Sequence, residues 1–324
     1  MLKYVLALAV LFAAPAQDKQ DEPIKVGIIG LDTSHVTVFT AAMNDPKNPN
    51  HVPGCKVVAA FKGGSPDIES SRSRIEGFTK TLQEKWGVEI VDSIEALCKK
   101  VDAVLLESVD GRPHLEQVRP VFAAKKRVFI DKPLAASLKD GREIARLSKE
   151  SGTPFFSASS IRFYESIIKT KEDPDLGKII GCESFGHFST EPHHPELFWY
   201  GVHAVEGLFS VMGPGCESVT RVDSGDVMVV VGKWKGGRVG TFRGMKKGGK
   251  EYGVTVFGEK AERSSLSVKG KNGYGNLVVE IVKFFKTGTP PVSVEEMLDV
   301  LAFMEAADVS KAKGGAEVRL DELK

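Results

Sequence analysis

The sequence predicts an α/β protein with a Rossmann-like, doubly wound parallel sheet in its first half. Its second half predicts an α+β domain with a mostly antiparallel open sheet. Three observations carry this. Six short apolar runs alternate with helical segments up to residue 158, and such alternation packs as a parallel sheet with right-handed crossovers. After residue 159 the rhythm changes to strand-like runs separated by glycines and charges, which is the pattern of antiparallel pairing. The length of 324 residues is enough for two domains.

Taken in order, residues 1–16 read as a Sec-type signal peptide. Lys3 gives a small positive region, and residues 5–14 are an apolar core too short to span a bilayer. Ala14-Pro15-Ala16 is a small-residue cleavage site before Gln17. The expectation is an exported protein, periplasmic or extracellular. Residues 17–23 form a polar linker, 24–158 the first domain, and 159–324 a domain expected to bind substrate and to form any homo-oligomer.

In the first domain, residues 24–30 are a buried-strand run ending in glycine, and Asp32 or Ser34 looks like the N-cap of a helix over 35–44. Strands follow at 55–61, 89–91, 103–106, 127–130 and 155–158. Between them lie helical stretches to residue 86 and over 94–100, 115–124 and 138–151. In the second domain, strands are expected at 179–188, 218–222, 227–233, 238–243, 252–257 and 263–268. Helices are expected at 165–169, 198–212, 277–286 and 294–312.

Net charge is +1, with both signs interspersed, which argues against a nucleic-acid or membrane-surface protein. The four cysteines, Cys55, Cys98, Cys182 and Cys216, fit no zinc spacing. Export would permit a Cys182–Cys216 disulfide; four unpaired thiols is the other reading.

The stretch Val128-Phe129-Ile130-Asp131-Lys132-Pro133-Leu134 carries the chemistry. An apolar strand runs into an acid, a lysine and a proline, and the proline ends the strand because it cannot donate to a ladder. Asp131 and Lys132 are left at the strand's carboxyl end, where open α/β sheets bind ligands. A partly buried lysine there is a candidate acid/base. A second candidate is Glu191-Pro192-His193-His194-Pro195-Glu196, read as a loop lining the substrate mouth. With His203 its histidines could instead hold a divalent metal, although no metal is assigned.

With the strand order in place, the chain resembles the Gfo/Idh/MocA family of nicotinamide-dependent oxidoreductases over nearly its whole mature length. Asp131-Lys132-Pro133-Leu134-Ala135 is similar to the family's E-K-P-L-A signature. Asp102-Ala103-Val104 and His114-Leu115-Glu116 match its fourth strand and following helix. Gly201-Val202-His203-Ala204-Val205-Glu206 is similar to its G-x-H-x-x-D helix. The resemblance implies NAD or NADP as cofactor and a sugar, inositol or related polyol as substrate. It makes Lys132 and His203 the catalytic pair, Lys132 also touching the nicotinamide end. It further implies cofactor contacts from Gly30, Asp32, Thr33, Ser34, His35, Lys62, Ser108, His114 and Asp131, and substrate contacts from His193, His194, Tyr200 and Glu206.

The sequence departs from the family in four places. The expected G-x-G-x-x-G reads Gly30-Leu31-Asp32-Thr33-Ser34-His35, so an acid stands where the pyrophosphate should approach. The second strand ends in Phe61-Lys62-Gly63, with no acid for a ribose; Lys62 leans the choice towards NADP. Trp199 stands where the family has an aspartate, and Glu107 where it has a small or hydroxyl residue. An exported chain with a degraded glycine loop leaves a second function open, a cofactor-independent carbohydrate-binding protein on the same fold.

Overall fold

The structure is a computed structural model that describes residues 22–266 and 273–323. The expected signal peptide, most of the linker, and positions 267 and 268 of the last expected strand lie outside the described residues.

The first half alternates as the pattern requires: β1 (Ile24–Ile29), α1 (His35–Asn44), β2 (Cys55–Phe61), α2 (Glu69–Arg72), α3 (Ile75–Trp86), β3 (Glu89–Val91), α4 (Ile94–Cys98), β4 (Ala103–Leu106), α5 (His114–Ala123), β5 (Arg127–Asp131), α6 (Leu138–Ser151) and β6 (Phe155–Ala158). The strands pair in parallel in the order β3-β2-β1-β4-β5-β6. The order reverses between β1 and β4, which opens a crevice at their carboxyl ends. Central β4 and edge strand β6 are both buried along their length, so both read as unbroken apolar or small runs. The helices show the opposite pattern. In α6, Leu138, Gly141, Ile144 and Ser148 face inward; Ser137 caps its start and left-handed Gly152 ends it. The stretch expected as one helix to Trp86 is two, α2 and α3, broken at Ser73-Arg74.

The second half contains α7 (Glu165–Lys171), β7 (Ile179–His187), a π-helical turn over Leu197–Gly201 that runs into α8 (Val202–Met212), β8 (Cys216–Ser224), β9 (Val227–Trp234), β10 (Arg238–Met245), β11 (Gly253–Gly258), β12 (Glu262–Leu266), α9 (Gly273–Thr287), α10 (Val294–Ala312) and β13 (Val318–Arg319). Its sheet has the order β12-β11-β7-β10-β9-β8-β13. It is antiparallel except where β10 lies parallel to β7, because the β8-β9-β10 meander returns alongside a strand that preceded it. In β9, Met228, Val230 and Trp234 alternate inward. That face is covered by α8 and α10.

The halves share a core. α9 leaves the second sheet and packs on β5 and α1 of the first. Phe129 and Phe156 lie 5.0 Å apart between ring centroids, and Phe284 of α9 meets Phe156 at 5.1 Å. All four cysteines are buried and free, so the Cys182–Cys216 disulfide is not formed.

Candidate active site at the carboxyl edge of the parallel sheet

Gly30 turns the chain out of β1 with φ of +86°. A Cβ there would lie 2.3 Å from Ser108 Oγ and 2.5 Å from the Ser108 nitrogen, so glycine is required by the loop after β4. Asp32 is fully buried; its carboxylate accepts from the Val109 N–H at 2.9 Å and from Ser71 Oγ at 2.6 Å. Burial pushes its pKa up, and the bonds from Ser71 and Val109 only partly offset that. The expected N-cap at Asp32 is thus not formed. Ser34 holds the cap position, already helical and without a side-chain bond. Separately from the main core, Ile68 and Val109 pack with Trp199 of the π-turn and with Tyr200. Thr33 is buried and Ser34 exposed.

His35 opens α1 but does not satisfy backbone groups. Its Nδ1 lies 2.7 Å from Asp131 Oδ2 and 3.8 Å from Glu107 Oε2, and its Nε2 3.1 Å from the Tyr274 hydroxyl. Glu107 lies just past β4, level with Asp131 on the register that pairs Leu105 with Phe129. It is fully buried, and neither carboxylate oxygen has a hydrogen-bond partner. Burial, reinforced by the Asp131 charge, pushes its pKa well above the usual range. Burial opposes ionisation of Asp131 too, but His35 and Lys132 hold that carboxyl below its ordinary value. Two like charges in one dry site are driven apart in this way.

Lys132 is 4 % exposed, with Nζ 5.4 Å from the Tyr200 ring centre. His203, from α8, sits between the rings of Tyr200 and Tyr252, with Nδ1 2.8 Å from Ser159 Oγ at the end of β6. Burial, then the Lys132 charge, holds its pKa well below the ordinary value. The result is a neutral imidazole and a lysine at one edge of the sheet, beneath the second domain.

Other expected contact residues have partners within the fold. Glu206 is buried and bound by Arg162 Nε at 2.7 Å, so it serves the fold. His114 is fully buried between the Leu134 and Ser108 carbonyls, and Ser108 donates to Gln117. Lys62 pairs with Glu76 on the surface. His193 is exposed and bonds Glu191, whereas His194 is buried against Gly111 and Asp110. The two do not form a metal-binding group with His203. Among the described residues, the His, Cys, Asp and Glu side chains close enough to share an ion are His35, Glu107 and Asp131, with ligand atoms within 4.8 Å. Sequence reasoning missed Ser159, Tyr252, Tyr274 and Ile68. Ser159 follows directly after a strand end and could have been found; Tyr274 is 239 residues from His35 and carried no signal.

Against the dinucleotide that the resemblance implies, the site divides. Lys132, His203 and Ser159 suit the reacting end of a nicotinamide and an alcohol. The turn between β1 and α1 departs from an ordinary pyrophosphate seat: its Gly30 and Leu31 N–H groups are taken by the Phe61 and Lys62 carbonyls, and the Asp32 carboxylate is buried within it.

A family model described as "Oxidoreductase family, NAD-binding Rossmann fold" matches residues 24–159. The chain is 29 % identical over 208 residues to a myo-inositol 2-dehydrogenase of Thermotoga maritima, covering 56 % of this chain and 62 % of that one. The curated relatives it matches are each covered over 42 % to 62 % of their length. By structure it resembles a scyllo-inositol dehydrogenase of Lactobacillus casei with bound NAD(H) and scyllo-inositol, with TM-score 0.76, 14 % identity, and coverage of 93 % of this chain and 100 % of that one. A myo-inositol dehydrogenase of the same organism in complex with NAD(H) and myo-inositol gives TM-score 0.72 and 17 % identity, over 92 % and 97 % of the chains. Residues 24–159 thus match the NAD-binding Rossmann domain of the Gfo/Idh/MocA oxidoreductase family, and the fold of these dehydrogenases is shared along nearly the whole chain.

Proposed function

We propose that the chain is an NAD(P)-dependent oxidoreductase that acts on an inositol, a sugar or a related polyol, with Lys132 and His203 at the reacting carbon. The observation that carries this is the pairing of a neutral His203 with the buried Lys132 at the carboxyl edge of β5 and β6. An alcohol that loses hydride must also lose its hydroxyl proton, so a base and a cation belong at that oxygen. His203, fixed through Nδ1 by Ser159, takes the proton on its other ring nitrogen. Lys132 steadies the negative charge that grows on the oxygen, and Tyr200 and Tyr252 flank the imidazole. A bound nicotinamide supplies the hydride acceptor. Lys62 favours NADP over NAD: its surface pair with Glu76 is worth under about 1 kcal/mol and opens readily to a phosphate.

A second reading, a polyol-binding protein without dinucleotide chemistry, is favoured by the buried Asp32 and the Ile68–Val109–Trp199 contact. One experiment separates the two. The purified protein is titrated with NAD and NADP by calorimetry, then assayed for cofactor reduction with a panel of inositols and sugars. Dinucleotide binding, polyol-dependent reduction, and a loss of about 100-fold or more in turnover for Lys132→Ala at unchanged stability are expected. No dinucleotide binding, with the melting temperature raised by a polyol, would leave the second reading standing.

A further inference from the structure

We propose that His35, Glu107 and Asp131 bind one divalent transition-metal ion, of the zinc or manganese class, at the carboxyl edge of β4 and β5. Three elements, the start of α1 and the ends of β4 and β5, bring one imidazole and two carboxylates together with ligand atoms within 4.8 Å of one another. All three side chains are buried.

The second observation is Glu107 itself. It is fully buried, and both its oxygens lack a partner. Buried carboxylates are normally paired, hydrogen-bonded or bound to metal, since an unpartnered one costs several kcal/mol or stays protonated. Among the described residues, His35 is the basic side chain that comes within 4 Å of it. An ion would account for the orphaned oxygens and balance the two carboxylates.

The geometry is close to what such an ion needs. Two ligands at about 2.1 Å from a shared tetrahedral ion stand about 3.4 Å apart. The His35 Nδ1 to Glu107 Oε2 separation is 3.8 Å. The His35 Nδ1 to Asp131 Oδ2 contact of 2.7 Å opens by less than 1 Å as the ion replaces the proton between them. Metal-bound histidines hold their other ring nitrogen in a hydrogen bond that fixes the tautomer. Here Nε2 faces the Tyr274 hydroxyl at 3.1 Å, which leaves Nδ1 for the ion. One imidazole with two carboxylates suits zinc, manganese or ferrous iron better than the all-oxygen shells of calcium and magnesium.

The test needs no activity, so it stands apart from the oxidoreductase reading. The whole protein is stripped with a chelator and titrated with Zn²⁺ and with Mn²⁺ by calorimetry, with melting temperature and ion content measured in parallel. One ion per chain, a raised melting temperature, and at least a 10-fold loss of affinity in Glu107→Gln are expected; His35→Gln is read in its place should Glu107→Gln not fold. Equal affinity in Glu107→Gln, or no binding to the stripped wild type, overturns the site. So does an ion lost in His193→Ala and kept in Glu107→Gln, which belongs to the surface pair of His193 and Glu191.

Discussion

His194 shows how far a residue's environment can depart from its letter. In the sequence it is half of an exposed-looking His-His pair. In the fold its ring is sealed against Trp199, with Nε2 accepting from the Gly111 N–H at 3.3 Å and Nδ1–H donating to the Pro195 carbonyl at 3.3 Å. Burial drives its pKa down to about 4. The unfolded chain, near 6.5, therefore binds the proton more tightly than the folded one. Stability is full above about pH 6.5 and falls as the pH drops towards 4, by about 3 kcal/mol in all. Urea unfolding at about pH 7 and about pH 4.5 checks this: His194→Gln, which cannot titrate, should lose about 2 kcal/mol less than the wild type. Equal losses would remove His194 as the cause. The residues at the sheet edge were more legible. Lys132 follows an apolar strand that ends in Asp131 and precedes a proline, so its place at a sheet edge follows from chain order. Glu107 was visible as an acid closing an apolar strand, but its lack of partners is set by what surrounds it in space.

At the scale of elements, the strands and helices of the first half were readable because each carries its own periodicity. The loop after β1 was not. Asp32 looked like a helix cap because an acid commonly stands before a first turn, but its partners are Ser71 and Val109, 39 and 77 residues away. Local rules cannot see such bonds, and α2 exists to deliver one of them. The parallel β7–β10 pair was missed for the same reason, since β7 and β10 are brought together by the meander between them. The prediction at this scale concerns the loop. Asp32→Ala leaves the Val109 N–H and the Ser71 hydroxyl buried without an acceptor and should cost about 2 kcal/mol. Asp32→Asn keeps an acceptor and sheds a desolvated charge, so it should cost clearly less. Denaturant midpoints measure both, and hydrogen exchange at Val109 should quicken in the alanine variant alone. A harmless Asp32→Ala would mean the loop is held by its buried Leu31 and its backbone bonds to Phe61 and Lys62.

At the scale of the molecule, the junction between the two halves is fixed by more than the shared aromatic core. Arg162, just after β6, donates from Nε to Glu206 of α8 at 2.7 Å and from Nη1 to Glu296 of α10. All three side chains are mostly or fully buried. One guanidinium thus ties the turn that leaves the parallel sheet to both helices that cover the second sheet, and α8 is the helix that carries His203. The sequence hid this clamp, because its members are separated by 44 and 134 residues. Removing one partner of a buried ion pair strands the charge of the other. Arg162→Met, which fills similar space, leaves two carboxylates facing each other and should cost about 3–5 kcal/mol. Adding Glu206→Gln to that variant should recover part of the loss, since it removes one stranded charge; Glu206→Gln alone should destabilise. Such a sign reversal, read from urea midpoints of the four proteins, is the signature of coupled charges. If the two changes simply add, the carboxylates have relaxed into water and the halves are held by the aromatic contacts of α9 instead. Because the clamp also sets α8 against the turn after β6, loss of Arg162 should lower turnover of the proposed polyol substrate further than stability explains. Lys132 comes from the first half and His203 from the second, with Ser159 at the junction between them, and their alignment depends on the halves not sliding.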